Sequence, residues 1–251
     1  MRPLVSVIIP NYNELANVKR GVLTEVVNYL KKQSYLWEVI ISDDGSTDES
    51  YALISKFALP LPQIKLIKNV HAGKPFALRS GIEAARGDFV LLTDMDQSTP
   101  INQLEKLLAF TKEGYKVVIG SRGAHRANSS FIRKYIISLG FLTFRRLIIL
   151  PEIIDTQCGF KLFETKLAKQ IFSRMRIFGR KNSAIGWKVT AYDVEVLHLA
   201  KKMHQKIKEV KVNWKNTDIS DGKVRNFVRE SVEMIFEVLR VRINDMLGKY
   251  D

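Results

Sequence analysis

The chain has 251 residues, 46% of them hydrophobic, with 40 Lys and Arg against 26 Asp and Glu, a net charge of +14. This composition suits a globular domain with one sizeable core and argues against a disordered chain. The excess charge favours anionic partners (nucleotides, nucleic acid or an acidic membrane surface), while a single cysteine, Cys158, excludes an internal disulfide framework and a multi-cysteine zinc site and agrees with a reducing compartment.

The opening, MRPLVSVIIPNYNE, lacks a small-residue cleavage site and reads as a first strand over 5–9, buried on both faces, rather than a signal peptide. Asn13 is placed to cap a helix in which Val18, Val22 and Val26, and Leu23, Val27 and Leu30, recur at helical spacing. A second strand over 37–41 runs into the turn-rich segment 43–48. There follow a helix at 51–57, a strand at 64–67, a helix at 75–86, a strand at 89–93, a helix at 104–110 opened by Pro100, and a strand at 117–119. Residues 131–150 are rich in Ile, Leu and Phe but carry Arg133, Lys134, Arg145 and Arg146. Residues 194–203 read as helix, 207–214 as strand, and 224–247 as a long basic amphipathic helix. No stretch reaches the roughly 18 to 20 uncharged residues of a membrane span, and no internal repeat or linker is visible.

Strands separated by helices predict an α/β fold, a mostly parallel sheet flanked by helices with right-handed crossovers. Ligands of such sheets bind beyond the carboxyl ends of the strands. The polar clusters 11–14, 43–48 and 94–98 all fall there. Just past the fourth strand, Asp94 and Asp96 stand two residues apart, so their carboxylates can converge on Mg²⁺ or Mn²⁺ bridging to a diphosphate; the other reading is two surface acids at a turn. Asp43 suits the N–H and O–H donors of a nucleoside, or alternatively organises an Asx-type turn with Ser46 or Thr47 as a helix cap. Arg122, Arg126, Arg133 and Lys134 offer cations to phosphates, or form a solvated loop with His125. Cys158 has no base beside it and reads as a small packed residue. Asp193 and Glu195 open a helix, either favoured by its dipole or serving as general base or acceptor-site carboxylate.

Together these segments resemble glycosyltransferase family 2 and its GT-A fold. The stretches VSVIIPNYNE, SDDGSTDES, TDMDQST and GSRGAHR carry the superfamily pattern. DTQCGFKLF, YDVEVL, VNWKNTDISDGKV and SVEMIFEVLRVRI resemble the branch that glucosylates dolichyl phosphate, so the likeness spans about residues 4 to 248. It implies one GT-A domain over 1–251, with a nucleotide-sugar half at about 1–122 and an acceptor- and membrane-facing half at about 123–251. Pro10, Tyr12, Glu14 and Asp43 are expected to hold the nucleoside, and Asp94 and Asp96 the metal and donor phosphates. Arg122, Arg133 and Lys223 are expected to bind phosphates, with Asp193 positioning the acceptor or serving the structure.

The implied reaction is an inverting hexosyl transfer from UDP-glucose to a polyprenyl phosphate. The alternatives are GDP-mannose as donor, or a soluble sugar acceptor. A phosphate acceptor is already anionic and needs no strong general base. Gln97 stands where the glucosylating branch often has glycine, and no apolar anchor precedes residue 4 or follows 248. The expected location is therefore peripheral, on the cytoplasmic face of a membrane, with 131–150 lying in the interface or a small membrane-embedded protein as anchor. Nucleic acid is not an expected partner: no zinc-ligand spacing or RNA-recognition motif is present, and the acidic loops would repel a phosphate backbone.

Overall fold

A computed structural model describes residues 3–122, 150–179, 192–219 and 227–250, with side chains of the last segment described from 235. The elements in chain order are β1 (Leu4–Asn11), α1 (Leu15–Lys19), α2 (Val22–Leu30), β2 (Leu36–Asp43), α3 (Ser50–Ala58), β3 (Ile64–Lys68), α4 (Lys74–Ala84), β4 (Phe89–Leu92), α5 (Leu104–Thr111), β5 (Val117–Ser121), β6 (Lys161–Glu164), α6 (Thr165–Arg174), α7 (Tyr192–Lys202), β7 (Ile207–Lys211) and α8 (Phe227–Met246). Single 3₁₀ turns at Ile101–Gln103 and Arg176–Gly179 lead into α5 and follow α6.

The described strands form one seven-stranded sheet in the order β3-β2-β1-β4-β6-β5-β7. All pairings are parallel except those of β6, which runs antiparallel to both β4 and β5. The carboxyl ends of the six parallel strands therefore share one edge, and β6 presents its first residue, Lys161, at that same edge.

Alternating side chains feed two cores, one on each face of the sheet. Ile8, Ile40, Val90, Ile119 and Phe163 face α4, α6, α7 and α8. Val7, Ile9, Ile41, Leu91, Val118 and Leu162 face α2, α3 and α5. Strands buried on both faces read as continuous apolar runs, which is why β1, β2, β4 and β5 are visible in the sequence.

The structure corrects several expectations. The helix expected to follow Asn13 is two helices, broken at Gly21, whose φ of 90° lies in the left-handed region. Asn13 does not cap α1; its Oδ1 accepts the N–H groups of Thr47 at 2.8 Å and Asp48 at 3.3 Å, tying the first loop to the second. The strand expected over 207–214 ends at Lys211. The carboxy-terminal helix is present, with Val238 and Val241 fully buried, but it is not basic: within Phe227–Met246, Arg229, Arg240 and Arg242 stand against Glu230, Glu233, Glu237 and Asp245. Large apolar side chains at Phe236, Ile243 and Met246 of this helix are exposed. No helix among the described residues is long and apolar enough to cross a membrane. The segment 131–150 lies outside the described residues.

Candidate active site

The site is built at the shared edge, beginning with the paired ends of β1 and β2, where Asn11 lies in register with Asp43. Asp43 is fully buried, and its carboxylate accepts four hydrogen bonds from the chain itself. Oδ1 takes the Asn11 amide and the Ser46 hydroxyl, each at 2.6 Å, and Oδ2 takes the N–H groups of Gly45 and Ser46, each at 3.1 Å. A carboxylate has about four acceptor positions, so Asp43 organises the loop and its acceptor capacity is used within the protein. Asp44 is likewise committed, to the His71 ring at 2.9 Å and the N–H groups of Ala72 at 3.0 Å and Gly73 at 2.8 Å. This brings the β3–α4 loop over the β2 turn so closely that a Cβ on Gly45, at φ 74°, would meet the His71 backbone nitrogen at 2.8 Å. The half-buried Tyr12 ring stacks on His71 with centroids 4.2 Å apart. Pro10 is buried within β1, and Glu14 is buried with its Oε2 accepting the Asn17 amide at 2.6 Å.

The acid pair after β4 is fixed from several sides. Met95, between the two acids, is buried in the same core as Leu91, Val118 and Leu162. Lys74 Nζ sits 2.5 Å from Asp94 Oδ1. Gly159 packs against the same carboxylate, leaving no space there for a Cβ. Asp96 Oδ1 accepts the Ser98 N–H at 2.8 Å, while its carbonyl takes the Arg20 guanidinium at 2.7 Å and the Thr217 hydroxyl at 2.8 Å. Directly after Asp96, Gln97 adopts φ 49°, the left-handed region where glycine is unstrained, and its side-chain amide donates to the Asp94 carbonyl at 2.8 Å. Burial, then the charges of Asp94 and Asp218, raise the Asp96 carboxyl above its ordinary value.

Hard oxygen donors gathered this way suit a divalent cation, whose charge would favour the ionised carboxylate of Asp96 against its burial and the neighbouring charge of Asp94. The donor set of Asp94 and Asp96 therefore fits a Mg²⁺ or Mn²⁺ ion. Among the described residues no third metal-ligating side chain completes a cluster with them.

Behind Asp94 runs a buried line of charge. Burial would depress the Lys74 ammonium, but Asp94, Tyr192 and Asp193 outweigh it and hold the group well above the usual lysine value. Asp193 opens α7 and is itself paired with the buried Lys161 at 2.5 Å, as is the carbonyl of Cys158. Arg122 follows β5 and spends its guanidinium on Asp155, with Nε and Nη2 each at 2.7 Å, lying over the Trp214 ring at 5.7 Å. Beyond β7, residues 212–219 cross the edge as a strap. Asn213 N–H reaches Gln103 at 3.0 Å, Lys215 N–H the Ser98 carbonyl at 2.9 Å, and Asp218 the Asn17 amide at 3.2 Å.

Of the residues singled out in the sequence, Pro10, Tyr12, Glu14, Asp43, Asp94, Asp96, Arg122 and Asp193 gather on this edge. Arg126, His125, Arg133, Lys134 and Lys223 lie outside the described residues. Lys74, Gly159, Lys161, Tyr192 and the strap went unrecognised as parts of the site. Gly159, Lys161, Tyr192 and the strap lie within DTQCGFKLF, YDVEVL and VNWKNTDISDGKV, which carry the family resemblance without assigning these residues a role, and Lys74 is marked by Gly73-Lys74-Pro75 opening a helix after a strand.

Residues 6–172 match the family described as glycosyl transferase family 2. The chain is 33% identical to a dolichyl-phosphate β-glucosyltransferase of Dictyostelium discoideum, over 97% of this chain and 75% of that protein. The proteins of that name from Saccharomyces cerevisiae and Homo sapiens are 32% and 31% identical, over 98% of this chain and 76% and 77% of theirs. Among solved structures, glucosyl-3-phosphoglycerate synthase from Mycobacterium tuberculosis, in complex with Mn²⁺, UDP and glucosyl-3-phosphoglycerate, superposes with a TM-score of 0.62 at 18% identity, over 96% of this chain and 80% of that one. A Pyrobaculum calidifontis mannosyltransferase with GDP-mannose and Mn²⁺ gives a TM-score of 0.58 at 18% identity, over 96% and 65%. These likenesses establish the GT-A fold.

Proposed function

We propose that this chain, which belongs to glycosyl transferase family 2 and is a glycosyltransferase, transfers glucose from UDP-glucose to a polyprenyl phosphate of the dolichyl type. The observation that carries this reading is the paired acids Asp94 and Asp96, at a sheet edge whose other loops are organised by Asp43 and Asp44. The relatives named above supply the sugar and the lipid class. We read the chain as one transferase domain.

Asp94 and Asp96 hold a divalent metal in this reading, and the metal when bound stabilises the charge on the departing diphosphate. Tyr12, stacked on His71, and Glu14 border the nucleoside, while Asp43 shapes the loop from behind. An oxygen of the acceptor phosphate attacks the anomeric carbon, the bond from that carbon to the diphosphate oxygen breaks, and the configuration inverts. The acceptor arrives as an anion, so no residue has to remove a proton. Asp193, paired with Lys161, is then a positioning residue that sets the charge behind Lys74. Arg122 buttresses the loop through Asp155, and Arg133 and Lys223 remain the proposed phosphate cations. A lipid phosphate acceptor calls for a membrane surface; we propose its cytoplasmic face, reached through 131–150 or a small membrane-embedded partner.

The test is a transfer assay with a short-chain polyprenyl phosphate in detergent, offering labelled UDP-glucose and GDP-mannose separately, with Asp96→Asn as control. Lipid-linked glucose formed only from UDP-glucose, and lost in the variant, is the expected result. Transfer from GDP-mannose alone overturns the sugar and keeps the mechanism. Transfer only to a soluble sugar, abolished by Asp193→Asn at saturating acceptor, overturns the lipid acceptor.

A further inference from the structure

We propose that Lys74 acts as a built-in cation at the Asp94–Asp96 pair, so that metal binds well there only together with the diphosphate. The inference rests on the reading of Asp94 and Asp96 as the metal's ligands.

Lys74 Nζ lies 2.5 Å from Asp94 Oδ1, with four-fifths of the side chain buried, and 5.9 Å from the centre of the Tyr192 ring. A buried ammonium requires a counter-charge in contact with it. The nearby Asp193 is already paired with Lys161 at 2.5 Å, so Asp94 is the carboxylate that answers Lys74. The root of the lysine is fixed: it is the first residue of α4, and the N–H of the preceding Gly73 is held by Asp44 at 2.8 Å. Its four-carbon stem leaves the ammonium able to swing about that root.

A divalent cation reaching Asp94 alone meets an ammonium on the same carboxylate, and the like charges subtract from its affinity. A diphosphate reverses the sign. Its anionic oxygens accept the ammonium, which leaves Asp94 Oδ1 to the metal. Metal and diphosphate thus favour each other's binding through one side chain, and the coupling is reciprocal. Lys74 is a positioning residue with respect to the metal and a direct contact of the diphosphate.

The coupling predicts opposite signs for two affinities in one variant. Calorimetric titration of the full chain with Mn²⁺ alone, and separately with inorganic pyrophosphate without metal, measures both and needs no nucleobase. Lys74→Met is expected to tighten Mn²⁺ and weaken pyrophosphate, each on the order of ten-fold, about 1.4 kcal/mol. Lys74→Arg is expected to keep the parent pattern. Both affinities weakening, as a damaged fold would give, overturns the inference. So does pyrophosphate weakening with Mn²⁺ unchanged, which makes Lys74 a simple phosphate ligand, and so does no change in either. Lys74→Gln carries the same test should the methionine variant fail to fold. Asp96→Asn is measured alongside: Mn²⁺ bound as tightly as by the parent chain refutes the underlying metal assignment, whereas its loss leaves the lysine arms to decide on their own.

Discussion

Gly159 lies flat against the carboxylate of Asp94, across 65 residues of sequence, and a methyl group at that glycine would overlap Oδ2. The glycine is not in the left-handed region, so its backbone accepts alanine. The atom in the way is the end of a side chain and can move aside. Gly159→Ala should therefore fold but displace a metal-holding acid. A shift of about 1 Å at a reacting centre costs up to roughly a hundred-fold in rate, so metal-dependent transfer should fall at least about ten-fold while the melting temperature changes little. Activity measured across a Mn²⁺ titration, beside a thermal melt, checks this; full activity at the parent's metal requirement would contradict it.

Asp96→Asn should abolish transfer and leave the protein as stable as before or more so. The asparagine oxygen can still accept the Ser98 N–H seen at 2.8 Å, while a buried charge that Asp94 and Asp218 both repel is removed. A gain of up to about 1 kcal/mol is expected from such relief at a functional site. Urea unfolding of both proteins in a metal-chelating buffer measures it.

Arg122 and Asp155 form a two-bond ion pair with side chains 15% and 10% exposed. Such a fork is worth about 1.5 to 3 kcal/mol; removing Arg122 leaves the Asp155 carboxylate buried with N–H donors but without this cation, and removing Asp155 takes this counter-charge from the guanidinium. Alanine at either position should destabilise by that order, and a double-mutant cycle should return a coupling of similar size. If Arg122 instead served mainly as a phosphate ligand, the cycle would show little coupling and Asp155→Ala would leave stability intact.

Glu38 governs part of the acid stability. Burial raises its carboxyl, but the Ser6 hydroxyl at 2.6 Å and the N–H and guanidinium of Arg86 outweigh it, and the folded value lies below the ordinary 4.5. A carboxylate depressed by folding contributes stability that is present above its unfolded value and lost as pH falls through the folded value. Glu38→Gln should thus lower the melting temperature at neutral pH, by about 1 to 3 kcal/mol in stability, and narrow its gap to the parent below pH 4.5. Melting curves from neutral pH down to the acid range would decide; a constant gap rules the carboxylate out as the cause.

Much of the site was legible because its first signals are local. Apolar runs ending in Asn11, Asp43 and just before Asp94 fix which loops meet at the parallel edge, since strands buried on both faces must be apolar and their polar residues fall at the ends. What those residues do there was less visible. Asp43 carries the expected acid at the expected place, yet spends all four acceptor positions on Asn11, Gly45 and Ser46. Gln97 departs from glycine in the sequence, and the reason the position favours glycine emerges only from its φ of 49°.

The sequence by itself determined the α/β class, the family, the order of the parallel strands' elements and the acid pair, because periodicity, strand-end loops and a D-x-D spacing are written within a few residues of one another. Only the tertiary structure decided that β6 enters antiparallel between β4 and β5, that Lys74 answers Asp94, that Arg122 belongs to Asp155, and that Thr217 of the strap holds the Asp96 carbonyl. These partners stand 20, 33 and 121 residues apart, and no local pattern encodes a charge's partner at such distances. The choice is made when burial removes water from each charge and leaves the neighbouring carboxylate or carbonyl as the group able to satisfy it.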